Sequence, residues 1–404
     1  MIKEDFKNIP EKFQRALPIM NKLQSSGFEV YFVGGSLRDL LLNKPINDID
    51  IATNALPEEV KKLFPHSFDT GIQHGTVTVV YKRENYEITT FRNDGDYLDH
   101  RHPENVKFVN DLREDLKRRD FSINALAMSP EGEIIDYYGG IEDLKNKIIK
   151  CVLNPYDRFE EDALRIFRAV RFTSQLNFSL ENNTYLALKE KVSLLSNISI
   201  ERIHSEFIKM MQGEGWQKGI ELIKDSKIYE YMPDLQSNSI EKILNYEYKK
   251  IRFSDEVLIW AVLFILEIFP ANQVNRVLNK WKTSNEIINN VNEILSFCQK
   301  YQKGILDYHL VYGLKRENIE KGIFILTKIN NLKLVNNPLR EYDLLPINSI
   351  KDLKITGNDL INEAGFKPGV HLGKMIKLIE SQVLQEKLEN DHRVMINFAR
   401  ENNV

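Results

Sequence analysis

Asp48 and Asp50 stand two residues apart in the apolar stretch IDIDIA. Two carboxylates on one rigid element are hard oxygen ligands suited to divalent cations. On a strand, residues two apart point to the same face, so this pair could share two ions. About a dozen residues upstream, the apolar run EVYFV (29–33) ends in Gly34-Gly35-Ser36, followed by Arg38 and Asp39. A glycine turn opening a helix lets backbone N–H groups come close to phosphates. The chemistry implied is binding of a nucleoside triphosphate beside two metal ions. With 58 acidic residues among 404, about eight pairs of this spacing arise by chance, and an isolated GGS is usually only a turn. The weight lies in the order of strand, glycine turn, Arg38 and paired aspartates.

Three further groups could complete a site. Glu87 lies in YEITTF, and a third carboxylate beside the pair could act as general base on an attacking hydroxyl or fill out a metal shell; a solvated strand glutamate is the plainer alternative. Arg118-Arg119-Asp120 opens the run RRDFSINALAM, read as a helix capped by Asp120 or Ser122. Two arginines at a helix start oppose the dipole unless an anion sits there, and a triphosphate would resolve that; a solvent-exposed basic pair is the plainer alternative. In DRFEEDALRIFRAVRF (157–172), Asp162 and Arg165 have the i, i+3 spacing that shares one helical face. Such a pair can be a surface ion pair of little consequence. It can also present an acceptor beside a donor, which complements the exocyclic amine and ring nitrogen of cytosine and adenine and mismatches guanine and uracil. Arg168 continues that face, whereas Arg171 lies half a turn round from Asp162.

These residues need elements to hold them. EVYFV, DIDIA, TVTVVY (76–81) and YEITTF (86–91) read as strands, the last two forming a hairpin through KREN, and SPEGEIIDYYGG (129–140) suggests another strand or hairpin. From about residue 155 the pattern turns helical: Tyr185, Leu188, Val192 and Leu195, then Ile200, Ile203, Phe207 and Met210, recur at helical spacing. The longest apolar run, VLIWAVLFILEIF (257–269), has 13 residues and contains Glu267. It is too short to span a bilayer and reads as a core helix capped by Ser254 or Asp255 and stopped by Pro270. Two distant cysteines, Cys151 and Cys298, argue against a disulfide framework or zinc site. A net charge of -3 means that any nucleic acid must be bound by local patches. The fold class expected is α+β: a mixed-sheet head followed by an all-α remainder.

On FVGGSLRDLLL, NDIDIAT, HGTV, RRDFSINALAM and RFEEDALRIFRAVRF the chain resembles class II tRNA nucleotidyltransferases, the bacterial CCA-adding enzymes of the polymerase β superfamily. The resemblance implies a polymerase β-like nucleotidyltransferase head (1–150), a neck that recognises the base (151–215), a helical body (216–305) and a tRNA-binding helical tail (306–404) in an elongated shape. It implies a two-ion Mg2+ site on Asp48 and Asp50, and triphosphate contacts from Gly35 and Arg38. Arg119, Arg168 and Arg171 would contact the nucleotide, Arg171 on this ground alone, and Asp162 and Arg165 would read the base. The partners implied are tRNA, CTP and ATP, in the cytoplasm and without a membrane, with a homodimer left open. The segment 92–108 resembles a flexible loop kept by members that add all three nucleotides. In the tail, Lys367, Gly369, Gly373 and Lys374 could meet a phosphate; a loop with a helix cap is the plainer alternative. Enzymes adding only CC or only A, a bacterial poly(A) polymerase, and a non-catalytic RNA-binding module are the rivals. The retained loop argues against CC-only addition, the lack of a basic extension against the poly(A) polymerase, and the intact aspartate pair against the binding module.

Overall fold

The computed structural model describes residues 9–46, 48–71, 75–94, 106–244 and 251–403. The chain divides into two compact units, Met1–Arg252 and Phe253–Val404.

The first unit opens with α1 (Glu11–Gln14), α2 (Leu17–Ser25), β1 (Val30–Val33), α3 (Gly35–Leu41), β2 (Asp50–Thr53) and α4 (Pro57–Leu63). It continues with β3 (Ser67–Gly71), β4 (Thr76–Tyr81), β5 (Glu84–Thr90), β6 (Arg92–Asp94), β7 (Val106–Phe108) and α5 (Leu112–Lys117). Then come β8 (Leu126–Met128), β9 (Ile134–Asp136), α6 (Gly140–Asn146), β10 (Ile148–Ile149), α7 (Pro155–Glu161) and α8 (Leu164–Leu176). The unit ends with β11 (Ser179–Leu180), α9 (Asn182–Lys191), α10 (Ile200–Met211), α11 (Trp216–Asp225) and α12 (Ser237–Leu244).

Among the described residues, seven strands form one mixed sheet in the order β3-β4-β5-β2-β1-β8-β9. Only the β2/β5 pairing within it is parallel. Alternation fixes its two faces. Phe32, Ile51, Val77, Val79, Tyr86 and Ile88 are buried on one side with Phe13, Ile19, Met20 and Leu23 of α1 and α2. Phe13 meets Phe32 edge-on at 4.8 Å; burying each such ring stabilises the fold by about 2–3 kcal/mol. On the opposite face, Val33, Ala52 and Ala127 pack under Leu112 and Leu116 of α5. That cover reaches Ala52 but leaves Asp50, one pleat earlier on β2, at the open end.

The sequence expectations need three local corrections. Strand β2 begins at Asp50, so Asp48 precedes it, although alternation persists: Ile49 and Ile51 are buried while Asp48 is exposed. The β4/β5 hairpin turns on two residues, not four. Lys82 and Arg83 both have positive φ (50° and 69°), and Tyr81 pairs with Glu84, as in the mirror-image turns whose twist suits a hairpin. RRDFSINALAM is not a helix: Arg118 caps the C-terminus of α5, Ser122–Asn124 form a 3-10 turn, and Leu126–Met128 are β8. Pairing of Ala127 with Val33 overrides local helical propensity. The two arginines thus lie at a helix end that favours cations. The expected 129–140 hairpin is present as β8/β9. Segment 92–108 is described only at its ends, where β6 pairs with β7; residues 95–105 lie outside the described residues.

The second unit comprises α13 (Glu256–Ile265), α14 (Val274–Lys280), α15 (Asn285–Gln302), α16 (Tyr308–Val311), α17 (Arg316–Phe324), α18 (Pro338–Asp343), α19 (Gly357–Ala364), α20 (Val370–Leu384) and α21 (His392–Glu401). Helix α13 is the expected core helix. Asp255 caps it, accepting from Leu258 N at 3.0 Å, and Leu258–Phe264 are all buried. It ends before Pro270, at Ile265. Lys367, Gly369 and Lys374 line a cleft at the start of α20, and Gly373 lies within that helix.

Candidate active site

Gly34 sits where β1 ends, with φ 77° and ψ -151°, a conformation only glycine adopts readily. It is also the point of closest approach to the carboxylates. A Cβ there would lie 2.7 Å from Asp50 Oδ2 and 3.6 Å from Arg119 Nη1. Helix α3 starts at the next residue, so its first amides have no intrahelical partner. Gly35 and Ser36 line a cavity of about 530 Å³ together with Asp48, Asp50 and Glu87.

The register brings Glu87 to the pair. Asp50 is the direct partner of Glu87 across β2/β5, as Thr78 is across β4/β5. Burial pushes the Asp50 carboxyl up to about 6; Glu87 and Asp48 add to this, and Arg119 opposes it. Carboxylates crowded into partial burial want a cation. Among the described residues no group of three His, Cys, Asp or Glu forms a metal cage. The donor set is instead a carboxylate pair at the edge of an open cavity, which suits an ion that keeps waters and takes its remaining oxygens from a substrate phosphate.

Arginines approach the cavity from the β1/β8 side. Arg38 donates to Asp39 Oδ1 (2.9 and 2.8 Å) and to Asn124 Oδ1 (2.8 Å). Asn124 donates in turn to Asp120 Oδ1 (3.0 Å), whose Oδ2 accepts from Arg168 Nε (2.8 Å) and Nη2 (2.5 Å). Burial alone would raise the Asp120 carboxyl, but Arg168 and Asn124 outweigh it and hold it at about 2. Among the described residues, Arg119 donates over long contacts to Asn124 O and Asp115 Oδ2, both 3.4 Å. Arg171 lies 2.5 Å from Glu206. Burial lowers its guanidinium below the usual value; Glu206 opposes this and Arg168 adds to it. Arg38, Arg168 and Arg171 all crowd the ring of Phe172, at 5.1, 5.4 and 4.0 Å from its centroid. Each of these guanidiniums faces a carboxylate, Arg38 that of Asp39, Arg168 that of Asp120 and Arg171 that of Glu206.

Asp162 and Arg165 do not form the helical pair that their spacing suggests. The helix breaks between them: Asp162 is extended (φ -132°, ψ 102°) after α7, and α8 starts at Leu164. The Asp162 side chain accepts from Leu164 N at 3.1 Å, a local bond that competes with helix continuation. Its Oδ2 is 3.5 Å from Arg202 of α10. Arg165 is buried and turned to Glu161 Oε2 (2.6 Å), Arg158 O (3.1 Å) and Arg118 O (2.8 Å).

The cavity thus unites Gly35, Asp48, Asp50 and Glu87, with Arg119 against the glycine turn; Arg38, Arg168 and Arg171 form the cluster on Phe172, while the Asp162 side chain meets Leu164 N and Arg202 and that of Arg165 meets Glu161. Sequence reasoning missed Asn124, Phe172 and Arg202. A polar residue inside the apolar run FSINALAM was the available signal for Asn124. Nothing in the sequence signals that Phe172 gathers three arginines.

Comparison with known proteins places this geometry. The Poly A polymerase head domain family matches residues 30–150, and the tRNA nucleotidyltransferase domain 2 family matches 251–399. The CCA-adding enzyme of Ligilactobacillus salivarius is 42% identical over 97% of this chain and 97% of its own. That of Enterococcus faecalis is 40% identical over 97% of each. The crystal structure of the Bacillus stearothermophilus CCA-adding enzyme in complex with CTP superposes with a TM-score of 0.82, at 32% identity and 98% coverage of both chains. A glycine turn against paired carboxylates, inside a likeness that runs through both units, makes this chain a member of the CCA-adding enzyme family.

Proposed function

We propose that the protein adds C, C and A, one nucleotide at a time, to the 3′ end of tRNA, using CTP and ATP, releasing pyrophosphate and needing no nucleic-acid template. The observation that carries this reading is Asp50, crowded by Asp48 and Glu87 and touching the glycine turn. Asp48 and Asp50 hold divalent ions, magnesium in this reading; when bound, these activate the terminal hydroxyl and steady the leaving pyrophosphate. Gly35 and Ser36 receive the triphosphate, with Arg38, Arg119, Arg168 and Arg171 supplying charge. Glu87 is the acceptor for the proton of the attacking 3′-hydroxyl.

Base choice falls to Asp162 and Arg165. Asp162 Oδ2, only 3.5 Å from Arg202, accepts from an exocyclic amine, and Arg165 donates to the ring nitrogen once it exchanges Glu161 for the base. Residues 1–150 are then the catalytic head and 151–215 the base-reading neck; 216–305 form the body and 306–404 grip the tRNA. No helix among the described residues is long and apolar enough to cross a membrane, and the reading places the enzyme in the cytoplasm with its tRNA.

The test is incubation with a tRNA lacking CCA and labelled nucleotides. CTP alone should extend it by two residues, and CTP with ATP by three. Arrest after CC, addition of A alone, long adenylate tails, or no extension would each replace the proposal with one of its rivals.

A further inference from the structure

The sheet register puts an aromatic ring in line with the carboxylates. Phe68 of β3 is the direct partner of Thr78 on β4, Thr78 of Glu87 on β5, and Glu87 of Asp50 on β2. Directly paired residues share a face of the sheet. Phe68, Thr78, Glu87 and Asp50 are therefore one rung across four strands, and all four line the same cavity. Three strand spacings separate the ends of the rung, about 14 Å between Cα atoms. Phe68 is 48% exposed, in contrast to the buried phenylalanines of the core. The surroundings are polar: Thr70 Oγ1 and Thr78 Oγ1 are 2.8 Å apart, and Asn85, two residues before Glu87, lines the cavity as well. An exposed ring in a polar cavity is a poor packing element and a good stacking surface.

Which ligand meets it follows from the order of groups. The glycine turn and the arginine cluster lie on the β1/β8 side of Asp50; Phe68 lies on the other. Under the nucleotidyl-transfer reading, on which this inference rests, pyrophosphate leaves toward the glycine turn and the arginines. The attacking hydroxyl must be in line with the leaving oxygen. It therefore enters from the β5–β4–β3 side. We infer that Phe68 is the platform on which the 3′-terminal base of the acceptor RNA strand stacks, holding its ribose hydroxyl over Glu87 and Asp50. Thr70, Thr78 and Asn85 offer hydrogen bonds to that ribose. Stacking on a ring tolerates every base, as a strand whose terminal base changes with each addition requires.

The experiment is a cycle between protein and RNA. The enzyme is full length, carrying Phe68, Phe68→Ala, Phe68→Leu or Phe68→Trp. The acceptor is tRNA ending in CC, with its last nucleotide intact or abasic, and ATP is the donor. Phe68→Ala is expected to lower kcat/KM for the intact tRNA about 10-fold, the scale of one lost base–aromatic stack, with KM for ATP unchanged. Phe68→Trp restores activity and Phe68→Leu does not, which separates stacking from apolar bulk. Removing the terminal base should cost wild type about the same factor and cost Phe68→Ala nothing further. Additive losses, a leucine variant equal to wild type, or a rise in KM for ATP in place of the tRNA effect would overturn the assignment. Wild type that extends no tRNA would instead overturn the functional reading itself.

Discussion

Replacing Gly34 with alanine tests the contact on which the catalytic assignment turns. Two costs are separable. The first is backbone strain: φ 77° with ψ -151° costs a residue with a side chain on the order of 1–3 kcal/mol. The second is steric. The new Cβ would sit 2.7 Å from Asp50 Oδ2, against ordinary contact from 3.4 Å, so the carboxylate must retreat by roughly 0.7 Å. Metal ligands tolerate about 0.2 Å, and a misplacement near 1 Å costs about 100-fold in rate. The expected outcome is a fall of about 100-fold in incorporation of both C and A, with the metal dependence shifted to higher concentration. Gly139→Ala is the control. Its φ is 76°, yet a Cβ there meets nothing within 4 Å, so it carries strain without displacing a ligand. It should lose about 1 kcal/mol in a urea melt and keep its activity. If Gly34→Ala retains more than about a third of wild-type kcat/KM at ordinary metal concentration, the carboxylate does not need its place against the turn, and the reasoning fails.

Asp48→Asn and Asp50→Asn should each abolish addition of both C and A while leaving tRNA binding in a gel-shift assay largely intact; normal A addition by either variant would rule out a shared metal site. Asp162→Ala and Arg165→Ala should relax discrimination against UTP by about 10- to 150-fold, read as kcat/KM for all four nucleotides; an unchanged preference in both would move base choice elsewhere. The Asp120 carboxyl, held at about 2 against an unfolded value near 3.9, contributes about 2 kcal/mol. Because its folded value is depressed, that contribution is full above the unfolded value and is lost as pH falls toward 2. Urea midpoints should therefore fall less steeply on acidification in Asp120→Asn than in wild type, from a lower starting stability, and parallel acid limbs would refute this.

That Asp48 and Asp50 share one cavity was legible because their geometry is set by alternation. Asp48 and Asp50 reach the same cavity even though β2 starts at Asp50, since side chains of a nearly extended chain still alternate with Ile49 and Ile51. The order of strand, glycine turn and carboxylates needs no tertiary information. The rest of the site was not legible for a definite reason. RRDFSINALAM has helical periodicity over a few residues, but Ala127 gains a sheet partner in Val33 that local propensity cannot anticipate. The spacing of Asp162 and Arg165 is helical on paper, and a single side-chain bond to Leu164 N breaks the helix where the pair was to form. Periodicity counts residues; it does not see a capping bond that ends the count.

Asp120 stands where those two parts of the site meet. It lies between α5 and the 3-10 turn, yet its two oxygens face different partners: Oδ1 accepts from Asn124, which holds Arg38, and Oδ2 accepts from Arg168 of α8. A buried network with every member satisfied is stiff, and the loss of one member leaves the others uncompensated. Arg38 follows the glycine turn and Arg168 lies three residues past Arg165 on α8, so this carboxylate ties the glycine-turn side of the cavity to the helix that carries Arg165, one of the two residues proposed to read the base. In the proposed function, a triphosphate that pulled on Arg38 or Arg168 would act on α8 through bonds already made. Under that proposal the same bonds would let the identity of the bound base and the seating of its phosphates be felt together.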